Sequence, residues 1–174
     1  MQKFTVSVAE LLGRPGEYRD ISLQEPLEGV SSTLARLDER PLRAELRAES
    51  VMEGILITGE VDVEASVRCA RCLREFSSDL SVELCELFVA PGHEAPGEDP
   101  YPVRGTEIGL EPMLRDAVTL SLPLRPLCKP DCKGLCARCG TDLNQGACGC
   151  VDEETDPRWA DLDAVREMLR ERSG

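Results

Sequence analysis

Leu42-Arg43-Ala44-Glu45-Leu46-Arg47-Ala48-Glu49 sets an apolar residue at every second position, and Ile55, Ile57, Val61, Val63, Ala65 and Val67 repeat the pattern beyond Glu53-Gly54. Period two sends successive side chains to opposite faces of a strand, so one face of each run can be buried and the other wetted. Glu53-Gly54 between the runs reads as a hairpin turn. The Ala, Leu, Glu and Arg content of the first run also suits a helix, so the second run carries the strand assignment. A third run sets Leu80, Val82 and Leu84 among Ser81, Glu83 and Cys85 and continues toward Val89. Cys69 and Cys72 therefore fall in the turn between two strands.

Outward from this hairpin the signals weaken. Met1 to Val8 and Tyr18 to Leu23 are further strand candidates, separated by a turn around Arg14-Pro15-Gly16. Residues 91–105 combine Pro91, Gly92, Pro96, Gly97, Pro100, Pro102 and Gly105 with Glu94, Glu98 and Asp99, which predicts an acidic loop rather than a folded element. Leu110, Met113, Leu114, Ala117 and Val118 follow helical spacing on one face, and the helix should end near Leu122-Pro123. Trp159, Leu162, Val165 and Leu169, opened by Asp156-Pro157, predict a terminal amphipathic helix over 157–172. The expected fold class is α+β: an antiparallel sheet with a packed helix and a Cys-rich zinc-knuckle segment. The expected divisions are an α+β core over 1–124, a Cys-rich segment over 125–151, and an acidic linker with the terminal helix over 152–174.

Composition limits the function. The chain of 174 residues carries 20 Lys plus Arg against 33 Asp plus Glu, a net charge of -13, which argues against coating nucleic acid or an anionic membrane. No stretch reaches the roughly 20 apolar residues of a membrane-spanning helix. The first thirteen residues lack the basic and apolar regions of a secretory signal, so the expected location is the cytoplasm.

In that reducing compartment clustered cysteines point to metal ligation or redox chemistry before disulfides. Eight of the nine cysteines group at short spacings. Cys136-Ala137-Arg138-Cys139-Gly140 and Cys148-Gly149-Cys150 suit one tetrahedral zinc, because a tight turn lets two thiolates reach one ion. Cys69, Cys72, Cys128 and Cys132 suit a second, although Cys128 or Cys132 can exchange roles with Cys136 without breaking a spacing rule. Two zinc sites are expected, and the segment around Leu135 and Leu143 has too few large apolar residues to fold without its ion. Cys85 reads as a small buried or half-buried hydrophobe.

An enzyme is not expected. The chain has no GxxxxGK[ST], HExxH or GxSxG motif, and its one histidine, His93, lies in the acidic loop, away from any positioning framework. Four-Cys zinc leaves no open coordination place for water. A thiol switch that cycles Cys69 and Cys72 stays open as an alternative, as does a zinc-dependent interaction module in another pathway. Against the switch, thioredoxin-like pairs sit at a strand-to-helix junction, whereas these cysteines lie between strands.

Val67-Arg68-Cys69-Ala70-Arg71-Cys72-Leu73, Leu122-Pro123-Leu124, Cys128, Cys132-Lys133-Gly134-Leu135-Cys136, Cys139-Gly140, Leu143-Asn144, Cys148 and Cys150 together resemble the YceD-like family. Its members are large ribosomal RNA subunit accumulation proteins of bacteria and plastids. The resemblance covers about residues 60 to 151. It implies a non-enzymatic factor for synthesis, processing or stability of 23S rRNA, with the first CxxC and the Cys128 region as its common element.

Charge adds a separate reading. Residues 67–76 and 124–142 each sum to +2, which leaves -17 for the remainder of the chain. Arg68, Arg71, Arg74, Arg125, Lys129, Lys133 and Arg138 are therefore candidate contacts to RNA phosphates. The acidic body could instead hold a basic ribosomal protein. The expected partner is 23S rRNA or a large-subunit ribosomal protein, with no membrane and no small-molecule substrate, and the oligomeric state is left open.

Overall fold

The computed structural model describes residues 3–93 and 100–150, together with Leu162 and Val165. Eight strands form: β1 (Thr5–Ser7), β2 (Tyr18–Glu25), β3 (Ala35–Leu37), β4 (Leu42–Ser50), β5 (Gly54–Arg68), β6 (Glu75–Val89), β7 (Tyr101–Arg104) and β8 (Glu107–Gly109). One helix, α1 (Glu111–Ser121), follows. The strands make a single sheet in the order β1-β8-β7-β6-β5-β4-β2, with β3 added to β5 beside β4. The chain divides into two compact units, Met1–Cys132 and Lys133–Gly174, and the sheet belongs to the first.

The alternating runs become the centre of that sheet. β5 pairs with β4 from Arg43↔Asp62 to Ser50↔Ile55, and with β6 from Gly54↔Val89 to Arg68↔Glu75. Leu42, Ala44, Leu46 and Ala48 of β4 and Ile55, Ile57, Val61, Val63, Ala65 and Val67 of β5 are all buried, while Arg43, Glu45 and Arg47 face out. Phe88, Ile108 and Leu110 join the same core. Each fully buried Val, Leu, Ile or Phe side chain contributes roughly 1.5–3 kcal/mol, whereas the exposed Arg47–Asp20 pair at 2.8 Å contributes little. The core therefore fixes the register, because a slip of one residue would turn every buried side chain outward.

Gly59 interrupts the buried series of β5 for a steric reason. A Cβ there would lie 2.1 Å from the Glu45 carbonyl oxygen and 2.8 Å from Leu46 Cα. Its φ of 145° is also one that side chains rarely adopt. Glycine lets the β4 backbone come this close to β5 where Leu46 pairs with Gly59, within a sheet that curls.

The expected α+β class is overturned: the described structure is mostly β with one short helix and a curled sheet. Met113, Leu114 and Val118 of α1 are buried, but strands supply the greater part of the core. Part of the miss lies in the stretch expected to be an acidic loop. Its 101–104 portion is β7, which runs parallel to β6, buries Val103 and stacks the Tyr101 ring 5.4 Å from that of Phe88. β3 and β8 were likewise unanticipated. The expected terminal helix lies outside the described residues, apart from Leu162 and Val165, which are exposed. Among the described residues no helix is long and apolar enough to cross a membrane.

Gly59→Ala should cost about 2–4 kcal/mol of stability in urea unfolding, since backbone must move to admit one methyl group. Ser77→Ala, on an exposed position of β6, should change stability by less than about 0.5 kcal/mol. Equal effects would show that the close approach at Gly59 does not constrain the fold.

Candidate metal centres

Six residues, 69–74, join the two longest strands. The Cys69 N–H donates to the Arg74 carbonyl at 2.8 Å and the Leu73 N–H to the Cys69 carbonyl at 3.0 Å. The N–H groups of Arg71 and Cys72 point at Cys69 Sγ, at 3.4 and 3.5 Å. To close this turn Leu73 adopts φ +59°, a left-handed conformation that is costly for a residue with a Cβ.

The same tetrapeptide, Cys-Ala-Arg-Cys, recurs at 136–139 in the second unit, and so does its backbone frame. The Cys136 N–H donates to the Thr141 carbonyl at 2.8 Å and the Gly140 N–H to the Cys136 carbonyl at 2.9 Å. Gly140, with φ +73°, occupies the place of Leu73. Sequence reading singled out both CxxC pairs but missed this correspondence, which the repeated tetrapeptide could have signalled.

The first turn is tied to the segment that leaves α1. The helix stops at Ser121, where Pro123 disfavours further helix. The Ala70 N–H donates to the Pro126 carbonyl at 2.8 Å, and Arg71 Nη1 donates to the Cys132 carbonyl at 2.7 Å. These bonds bring Cys128 and Cys132 over the turn. The Cys69 and Cys132 sulfurs lie 3.8 Å apart, and those of Cys72 and Cys128 lie 3.6 Å apart. A disulfide would need about 2.05 Å. Four sulfurs about 2.3 Å from one central ion would instead be about 3.8 Å from each other.

Cys136, Cys139, Cys148 and Cys150 form the second group, and in each quartet all four sulfurs lie within 4.8 Å of one another. Around the second, the Leu143 N–H donates to the Gly134 carbonyl at 2.9 Å and the Lys133 N–H to Asn144 Oδ1 at 2.9 Å. Both quartets could hold a metal ion, and four thiolates at tetrahedral spacing are compatible with zinc.

Their environments prepare some sulfurs for ligation. Burial pushes the Cys69 thiol up, but hydrogen bonds from the backbone of Cys128, Cys72 and Arg71 outweigh it and bring its pKa to about 6. Hydrogen bonding to the Thr141 hydroxyl and backbone likewise lowers Cys139 to about 6. Burial, followed by contact with Cys72, raises Cys128 to about 12, and contact with Cys139 raises Cys150 to about 12. Without a metal, neither quartet can carry four thiolates near neutral pH.

The candidate cations are distributed between the units. Arg68, Arg71, Arg74, Arg125 and Lys129 belong to the first unit and are exposed, whereas Lys133 and Arg138 belong to the second. Arg68 pairs with Glu75 at 3.0 Å and Lys129 with Asp131 at 3.9 Å. Cys85 joins neither quartet, and it is exposed rather than buried because Leu84 and Phe88 take the inward positions around it. His93 is exposed and its N–H donates to the Ala90 carbonyl at 3.2 Å.

Residues 57–166 match the family described as large ribosomal RNA subunit accumulation protein YceD. Uncharacterised proteins of Mycobacterium tuberculosis and Mycobacterium bovis are 39% identical over 165 residues, covering 91% of this chain and 79% of theirs. A chloroplastic protein of Arabidopsis thaliana, named large ribosomal RNA subunit accumulation protein YCED homolog 1, is 34% identical over 74 residues, or 42% of this chain and 23% of its own. No solved structure matches the chain.

Metal affinity should rise with pH, because ligation replaces protons on the sulfurs. Chelator competition at pH 6, 7 and 8 should show more than about tenfold tightening per unit, and a flat profile would contradict ligation by thiols that are protonated when free. Leu73→Gly should stabilise the first unit by about 0.5–1 kcal/mol by relieving its left-handed backbone, as thermal unfolding of the metal-loaded chain would measure.

Proposed function

The chain belongs to the YceD family of large ribosomal RNA subunit accumulation proteins, and from that membership we propose that it is a non-enzymatic, zinc-binding factor for large ribosomal subunit biogenesis. Its role is in the synthesis, processing or stability of 23S rRNA, and it acts by binding. Cys69, Cys72, Cys128 and Cys132 hold one zinc, and Cys136, Cys139, Cys148 and Cys150 hold the other. The observation that carries the zinc reading is the spacing of the first quartet, whose 3.6 and 3.8 Å sulfur separations fit a four-thiolate ion and not a disulfide. The same spacing disfavours a Cys69–Cys72 redox switch, since each of these sulfurs is engaged with a cysteine of the 128–132 segment.

The partner is 23S rRNA or a large-subunit ribosomal protein. Arg68, Arg71, Arg74, Arg125 and Lys129 cluster in sequence around the first quartet and its Pro126 anchor, and these, with Lys133 and Arg138 of the second unit, are the candidate phosphate contacts. The acidic outer face of β5 and β6, with Glu60, Asp62, Glu64, Asp79 and Glu83, is the surface that suits a basic protein. A cytoplasmic site of action follows from this role in a bacterial cell.

Depletion of the chain should selectively lower large subunits and 23S rRNA in ribosome profiles. Wild type should restore them, and Cys69→Ser/Cys72→Ser should not. Charge reversal at Arg125 and Lys129 should impair rescue if RNA is the partner, while reversal at Arg43 on the outer sheet should not. Unchanged profiles on depletion would refute the assignment.

A further inference from the structure

We propose that Cys139 and Cys150 form an oxidation site, where a hydroperoxide closes a disulfide and frees the zinc of the second quartet while the first quartet keeps its own. This rests on the zinc reading above and adds a chemical difference between the two centres.

The two Cys-Ala-Arg-Cys turns share one backbone frame, so the difference comes from their surroundings. In the first quartet Cys69 is 0% exposed, Cys132 1% and Cys72 8%, and Cys128 alone is half-buried. In the second, Cys139 and Cys150 are exposed and Cys136 and Cys148 are half-buried. Susceptibility of a thiolate follows its access to the oxidant. A peroxide can reach Cys139 directly and finds exposed Cys150 beside it, whereas in the first quartet it meets only the half-buried Cys128, whose three neighbouring cysteines are buried.

The exposed pair is also placed to react with itself. The Cys139 and Cys150 sulfurs lie within 4.8 Å, and a disulfide needs about 2.05 Å, so a shift of less than about 3 Å suffices. On the Cys150 side no atom lies within 4 Å of the side-chain position of Gly146 or Gly149, so no packed neighbour there stands in the way of such a shift.

Chemically, the Cys139 thiolate attacks one peroxide oxygen and the O–O bond breaks, giving a sulfenic acid and hydroxide, or an alkoxide for an organic peroxide. The Cys150 thiolate then attacks the Cys139 sulfur; the S–S bond forms and hydroxide leaves. Two electrons pass from the two sulfurs to the peroxide, and two solvent protons neutralise the two leaving anions. Only Cys136 and Cys148 then face the ion, which dissociates.

Release of that ion would unfold the second unit. Among its described residues the only buried one is Gly134, which has no side chain. A segment without an apolar core relies on its metal for folding. The first unit keeps its sheet core and its own ion.

The test uses the full chain loaded with zinc, together with its Cys85→Ser variant to remove the other exposed thiol. Zinc content is measured first, and fewer than two ions per chain would refute the metal reading itself. Hydrogen peroxide is then added while a chromogenic chelator reports free zinc and peptide mass spectrometry maps disulfides. The expected result is one zinc per chain released at least about tenfold faster than the other, with a Cys139–Cys150 disulfide that dithiothreitol and added zinc reverse. Release of both ions at one rate, no release, or first oxidation at Cys69 or Cys72 would overturn the proposal.

Discussion

The first unit is organised by the turn at 69–74. Two strands of 15 residues each, β5 and β6, run antiparallel along their whole length and must be joined where Arg68 faces Glu75. The turn that joins them is a cysteine turn, bound internally by Cys69–Arg74 and Leu73–Cys69 hydrogen bonds and externally by Ala70–Pro126 and Arg71–Cys132. Each external bond crosses more than 50 residues of sequence, and a long loop closure of this kind costs chain entropy that has to be recovered by strong contacts. A metal ion held by the four sulfurs would supply such a contact. They also explain the course of the chain after α1: Leu122 is buried, Pro123 stops the helix, and the next residues lie along the turn.

The central strands were legible because their length exceeds the period being read. β4 and β5 show at least four alternations each, so one face could be assigned without knowing its partner. β3, β7 and β8 have three or four residues each, too few for any periodicity. Their pairing depends on partners remote in sequence, as Phe88 with Tyr101 and Val6 with Ile108 show. Tyr101 and Val103 were also hidden by Pro100, Pro102 and Gly105, whose loop signal is local. With these strands unread, the expected sheet was smaller than the real one, and α1 and a terminal helix weighed enough beside it to suggest the α+β class.

For the candidate site the balance was different. Residue type and spacing suggest a quartet because thiolates converge on few kinds of centre, but spacing alone left Cys128, Cys132 and Cys136 interchangeable. Tertiary bonds separate them: Arg71 holds the Cys132 carbonyl, and Thr141 caps the turn that begins at Cys136. The exposure of Cys85 was available from parity, since Leu84 was already assigned inward and its neighbour must point out. Burial of the individual sulfurs was not available, because it depends on which layers lie over each turn.

That last property separates two centres that look alike in sequence. A turn of the same four residues, closed by the same bonds, uses leucine at the left-handed position in one unit and glycine in the other. The leucine is tolerated where a sheet core and two external hydrogen bonds overdetermine the turn, so that a local cost of roughly 1–2 kcal/mol is small against the core that holds it. In the second unit no described side chain is buried, and the backbone has little besides its hydrogen bonds and its four sulfurs to hold it. Glycine at 140 removes a cost that this unit has no core to absorb. The same tetrapeptide thus marks a corner held by a sheet core in one setting and a turn without buried side chains around it in the other.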